Sequence, residues 1–151
     1  MILGIDPGMG GALVLMDEEP IEWLLMPAYE VGKHRRVNCA ALARWLKDLR
    51  VSYPITHAYM EMVGAMPGQG VTSMFSFGHA NGSVVGVLAT LEIPITFVTP
   101  QSWKKAAGLM GTDKDAARSL AINLWPKWEE LDSKGKGQAL ADAALIARYG
   151  K

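Results

Sequence analysis

The first twenty-six residues constrain the fold of this chain more than any other stretch. Ile2 to Ile5 is a short apolar run closed by Asp6-Pro7-Gly8. Gly10-Gly11 opens a second run, Ala12 to Met16, which Asp17-Glu18-Glu19-Pro20 closes, and a third run extends from Ile21 to Met26. Apolar runs this short, punctuated by Asp, Gly and Pro, are too brief for helices and predict three strands joined by tight turns. Short turns between successive strands make them antiparallel neighbours.

The periodicity then changes. Lys33-His34-Arg35-Arg36 reads as a basic loop, and from Asn38 onward Ala41, Leu42, Trp45, Leu46 and Leu49 recur at helical spacing. Ala58 to Met62 is a fourth strand, Gly64 to Gly70 a loop, and Val71 to Leu91 a long helix rich in small residues. Ile95 to Val98 is a fifth strand. Helices follow at about Gln101–Ala107 and Thr112–Trp125, with Thr112 as N-cap. Pro126 to Gly137 reads as a polar connector and Gln138 to Tyr149 as the last helix. The whole is a single α/β domain, residues 1–151: a five-stranded mixed sheet, three antiparallel strands then two parallel, flanked by helices.

Charge excludes one class of partner. Lys and Arg total 15 and Asp and Glu total 15, so bulk positive charge does not hold this chain to nucleic acid, although a local basic face remains compatible with it. Cys39 is the only cysteine, which suits a reducing compartment, and no secretory leader or membrane span is expected. The expected location is the cytoplasm.

Three carboxylates stand in unusual settings. Asp6 ends an apolar strand, where it is either a turn residue or a functional charge. Glu61 sits within the apolar Tyr59-Met60-Glu61-Met62-Val63, facing either solvent or a partner. Asp142 lies in Leu140-Ala141-Asp142-Ala143-Ala144-Leu145-Ile146, a helix with apolar or small residues on nearly every side. Together they point to a hard divalent cation, which removes their mutual repulsion and prefers oxygen ligands, so Mg²⁺ or Mn²⁺ is expected. Metal-assisted phosphoryl transfer is the matching chemistry. The lone Cys and three His offer no zinc spacing.

Ile-Asp-Pro-Gly on the first strand, Glu61 on the fourth and Ala-Asp-Ala-Ala-Leu-Ile-Ala on the last helix resemble RuvC-like Holliday junction resolvases. The resemblance extends through Thr99 to Lys105 and Asp113-Lys114. The stretch Pro67-Gly68-Gln69-Gly70 to Phe77-Gly78 looks most like the branch from bacteriophages and prophages. It implies an RNase H-like fold, a homodimer, and two Mg²⁺ ions per active site, with Asp6 bridging and Glu61 and Asp142 completing the set. Its substrate would be branched DNA, four-way or three-way. The pattern departs in one place. The family carries a further Asp one helical turn before the last, where this chain has Gln138 and Ala139. Gln138 is then a candidate ligand through its amide oxygen or a bound water, and Asp132 a substitute if the connector folds back.

The resemblance also matches Lys104 and Lys114 to basic positions near the scissile phosphate, making Lys114 a candidate catalytic residue. Lys105, Arg118 and Lys136, with Lys33, Arg35 and Arg36 on the basic loop, are further candidates for DNA phosphates. Lys134 and Arg148 also flank the last helix. After Glu61, where the family places an aromatic wedge, the chain reads Val63, Gly64, Ala65, Met66, leaving Met66 as the apolar candidate. The five tryptophans read mainly as core, and the long small-residue helix as a dimer surface. Three rivals remain open. A sugar-kinase-like ATPase shares Ile-Asp-x-Gly but needs a second domain. The others are a DNA-binding member that does not cut, and a flap or hybrid nuclease on the same fold.

Overall fold

The computed structural model describes residues 1–62, 64–65 and 67–151. The candidate wedge Met66, with Val63, lies outside them. The strands are β1 (Ile2–Ile5), β2 (Ala12–Met16), β3 (Pro20–Leu25), β4 (Ala28–Val31), β5 (His34–Val37), β6 (His57–Glu61) and β7 (Ile95–Val98). The helices are α1 (Cys39–Ser52), α2 (Val71–Thr90), α3 (Pro100–Ala106), α4 (Ala116–Leu124) and α5 (Lys134–Tyr149). Five strands form one mixed sheet in the order β3-β2-β1-β6-β7. The β3-β2-β1 side is antiparallel and β1-β6-β7 parallel, the arrangement expected from the sequence.

Side chains alternate between the two faces of this sheet, and each face has its own core. Leu3 and Ile5 of β1, Leu13 and Leu15 of β2, and Ala58 and Met60 of β6 pack beneath α1 and α2. Ala12, Val14 and Met16, with Tyr59, pack under α3, α4 and α5. The same alternation carries the residue after Ile5, and the one after Met60, to the α5 face. These are Asp6 and Glu61. Because Ile5 pairs in register with Met60, the two acids end adjacent parallel strands side by side.

Helix α5 is thin. Ala139, Ala141, Ala143, Ala144 and Ala147 are all buried in it. It lies so close to the sheet that a Cβ at Gly4 would run into the carbonyl oxygen of Ala143 and crowd Ala147. The helix therefore rests on the backbone of β1, and Asp142 is carried to the strand end.

Four expectations change. The basic segment is not a loop: β4 and β5 form a separate two-stranded hairpin turned by Gly32, whose φ of 59° suits glycine. Thr112 caps no helix. Its hydroxyl donates to the Leu109 carbonyl oxygen at 2.8 Å, closing the turn after α3, and α4 begins at Ala116. The polar connector contains a 3₁₀ turn, Glu129–Asp132, and α5 starts at Lys134. A Cβ at Gly137 would strike the Leu131 carbonyl, so this glycine lets the early turn of α5 pack on that 3₁₀ segment. Helix α1 does begin where the helical spacing does, and Asn38 caps it, its Oδ1 accepting from the Ala41 N–H at 3.0 Å. Among the described residues no helix is long and apolar enough to cross a membrane.

Gly4→Ala should lower the unfolding free energy by about 1–3 kcal/mol, because the new methyl meets backbone that cannot rotate away. Gly10→Ala, where a Cβ meets open space, should stay within roughly 0.5 kcal/mol of the parent. Urea midpoints measure both, and equal midpoints would show that α5 does not rest on β1 at this point.

Candidate active site

Asp6 occupies both roles considered for it. It opens a tight turn in which the Gly11 N–H donates to the Gly8 carbonyl at 2.9 Å, and its own Oδ1 accepts from the Gly8 N–H at 3.2 Å. A Cβ on Gly11 would collide with the Asp6 carbonyl oxygen, so the glycine at this one position is what lets the turn close. The carboxyl is also largely removed from water. Burial raises its pKa above the ordinary aspartate value, and the Gly8 hydrogen bond only partly offsets this.

Glu61 does not face open solvent. Its Oε1 accepts from the indole Nε1 of Trp103 at 2.9 Å. Trp103 is buried on α3, which follows β7 directly and is started by Thr99, whose hydroxyl oxygen accepts from the Ser102 N–H at 3.1 Å. Burial raises the Glu61 pKa. The Trp103 bond lowers it, the charge of Asp6 raises it, and Lys104 lowers it again.

Asp142 is the most perturbed of the three, pushed up to about 6. Burial is the chief cause, followed by the opposing hydrogen bond from Gln138, then repulsion from Asp6 and Glu61 and attraction to Lys104. Asp6 thus acts on both other acids, Glu61 acts on Asp142, and Lys104 acts on Glu61 and Asp142. They share one water-poor end of the sheet instead of pointing into separate regions. Among the described residues no three His, Cys, Asp or Glu side chains gather tightly enough to hold a metal ion by themselves.

Beside Asp142 opens a cleft of about 430 Å³, lined by Gln101, Lys104, Thr112, Lys114, Gln138 and Asp142 among others. Lys104 and Lys114 therefore reach the same space. Lys105, the next residue on α3, is exposed and does not line the cleft.

Two other basic residues have internal roles. Arg118 is partly buried and its guanidinium donates to the Leu131 carbonyl at 3.1 Å, tying α4 to the 3₁₀ turn instead of facing a ligand. Lys136 sits 4.0 Å from the centre of the Trp23 ring, over β3. Lys33 and Arg35 are exposed on the β4–β5 hairpin, while Arg36 lies over the ring of Phe75 at 5.5 Å. The hairpin group does not line the cleft.

The fourth acid is not supplied by Asp132, which is exposed on its 3₁₀ turn and is not among the groups acting on Asp142. Nor is position 139 open to one, since Ala139 is buried in the α5 core. Gln138 is the residue that faces Asp142. Trp103 was not singled out from sequence, although a buried indole N–H needs an acceptor and the apolar strand before it held one unpaired acid. The other tryptophans are packing residues: Trp125 meets Trp128 edge to face at 6.1 Å, and Trp45 packs against the α1–α2 core.

No protein-family model matches the chain. It is 31% identical over 121 residues to the chloroplastic Holliday junction resolvase MOC1 of Chlamydomonas reinhardtii, a match spanning 79% of this chain and 14% of that protein. Among solved structures, RuvC of Thermus thermophilus in complex with a Holliday junction substrate superposes with a TM-score of 0.69 at 19% identity, covering 99% of this chain and 93% of that one. A second T. thermophilus RuvC structure superposes with a TM-score of 0.57 at 16% identity, covering 98% and 92%. The fold is that of RuvC, an RNase H-like fold.

The raised acids carry a pH signature. Asp142 titrates at about 6 in the folded chain against 3.8 for an ordinary aspartate, so the native state holds its proton more tightly. In chelator, its contribution is fully present below 3.8 and is lost as pH rises to about 6, a loss of up to ~3 kcal/mol. Asp142→Asn should flatten this part of the profile and be the more stable protein near neutral pH. Thermal melts in EDTA across that range check it, and an Asn variant with the parent's pH slope would contradict it.

Proposed function

We propose that this RuvC-like chain is a divalent-metal-dependent endonuclease that cuts branched DNA, four-way or three-way junctions, and works as a homodimer. One observation carries the reading: three desolvated carboxylates meet where α5 packs on the sheet, Asp6 and Glu61 after adjacent parallel strands and Asp142 on the helix, and both strand acids act on Asp142. Similarity to a resolvase over most of this chain supports the substrate class. The chain spans only 14% of that relative's length, so the activity rests on these residues.

The donor set fits a hard cation. It offers three carboxylates and the Gln138 amide oxygen, a buried acceptor with no hydrogen bond among the described residues, and no His or Cys lines the cleft beside them. Mg²⁺, with Mn²⁺ substituting and two ions per site, would be held by Asp6, Glu61, Asp142 and Gln138. Such ions make water a nucleophile near neutral pH and offset charge on the leaving oxygen. The chain does the positioning. Trp103 fixes the Glu61 carboxylate from behind, the Asp6 turn fixes Asp6, and Lys104 and Lys114 meet the phosphate of a strand lying in the cleft. Lys105 extends the basic edge of α3. Lys33, Arg35 and Arg36 would contact a second arm of the junction from the hairpin.

A second reading, a protein that grips branched DNA without cutting, is favoured by one fact: an uncharged amide stands where a fourth carboxylate is expected. A fixed four-way junction separates the two. Nicking in Mg²⁺ or Mn²⁺ but not in EDTA is the expected result, and affinity without nicking in either metal would favour the second reading. Asp6→Asn should reduce nicking by more than about 100-fold, beyond what loss of a supporting residue costs, while junction affinity in EDTA is retained. Cutting at the parental rate would remove Asp6 from the mechanism.

A further inference from the structure

Both oxygens of Asp142 already have a partner. Gln138 lies one turn earlier on α5, and its Nε2 donates to Oδ1 and to Oδ2, each at 3.1 Å. At the other end of the same amide, Oε1 is buried and accepts no hydrogen bond among the described residues. The donor end bridges an anion while the acceptor end is left unpaired, although buried polar atoms are nearly always satisfied.

An amide is close to symmetric in shape, so half a turn about its last bond exchanges N and O without needing new space. The buried end gives Oε1 no donor to hold it there, so the amide is oriented by its contact with Asp142. With no cation present, an oxygen there would repel the carboxylate and the NH₂ group is preferred. With a divalent cation present, the preference inverts, because the cation attracts an oxygen and repels the N–H dipoles. We infer that Gln138 is a two-position cap on the metal site. Its NH₂ holds the Asp142 carboxylate in the metal-free protein, and the amide turns over on cation binding so that Oε1 joins the ligands. This rests on the metal-dependent reading above, and adds that cation entry is coupled to one side-chain rotation. Such a site binds its cation less tightly than one with a permanent fourth carboxylate, and spares the metal-free protein a fourth buried charge.

The chain has three glutamines, at 69, 101 and 138, so selective ¹⁵N-glutamine labelling yields three side-chain NH₂ pairs, and Gln138→Met identifies the one concerned. Ca²⁺ is titrated into the DNA-free protein, with these resonances and the calorimetric heat followed together. The Gln138 pair is expected to shift with the same midpoint as the heat. Gln138→Met should weaken Ca²⁺ binding by about 10-fold and Gln138→Glu should tighten it by a similar factor. Binding heat with an unmoved Gln138 pair, or a Met variant that binds Ca²⁺ as tightly as the parent, would overturn the two-position cap and leave the metal-dependent reading standing. Absence of binding by Ca²⁺, Mg²⁺ and Mn²⁺ alike would overturn both.

Discussion

The bare backbone of β1 at Gly4 is the contact on which the rest of this structure turns. Helix α5 can reach the sheet only because no side chain stands between Gly4 and the carbonyl of Ala143. That approach brings Asp142 within electrostatic reach of Asp6 and Glu61, and it excludes the water that would otherwise screen them. The alanines of α5 serve the same end, since each side chain omitted from the interface lets the two backbones come closer. Packing and charge are therefore not separate properties here: the contact that builds one core also creates the site.

Three anions in a dry corner oppose folding in the absence of a counter-ion, and the chain offsets this with local donors. The Gly8 N–H, the Trp103 indole and the Gln138 amide each serve one carboxylate, and Lys104 acts on two. None of these removes the effect of burial, so all three acids stay raised. Sites kept in this tension are common where chemistry is done, because the same desolvation that weakens the free protein strengthens the grip on a cation.

Most of the sheet was legible from periodicity alone. β1, β2 and β7 follow short apolar runs, and α1 follows a clean stripe after Asn38. The hairpin β4–β5 was not, because its strands are short, mostly exposed and interleaved with charge, so no apolar alternation marks them. The start of α5 was hidden by Lys134-Gly135-Lys136-Gly137, a loop-like string whose last glycine is required by the Leu131 carbonyl, a contact no local pattern contains. Within the site, Asp6, Glu61 and Asp142 stood out as charges in apolar surroundings. Trp103 did not, since its acceptor lies 42 residues away in the chain. Gln138 was visible only as a missing acid; the direction its amide faces comes from the helix turn it shares with Asp142. Arg118 and Lys136 were read as free charges because sequence shows the charge and not the carbonyl or ring that occupies it.

The alanine-built helix also governs how this protein tolerates change. A spacer made of the smallest side chains has no slack to give, so widening it at Ala143 or Ala147 would tilt α5 and displace Asp142. Variation that elsewhere would be absorbed by repacking is here transmitted to the chemistry, and neutral drift should be confined to the opposite layer, where α1 and α2 meet the sheet through large, deformable side chains.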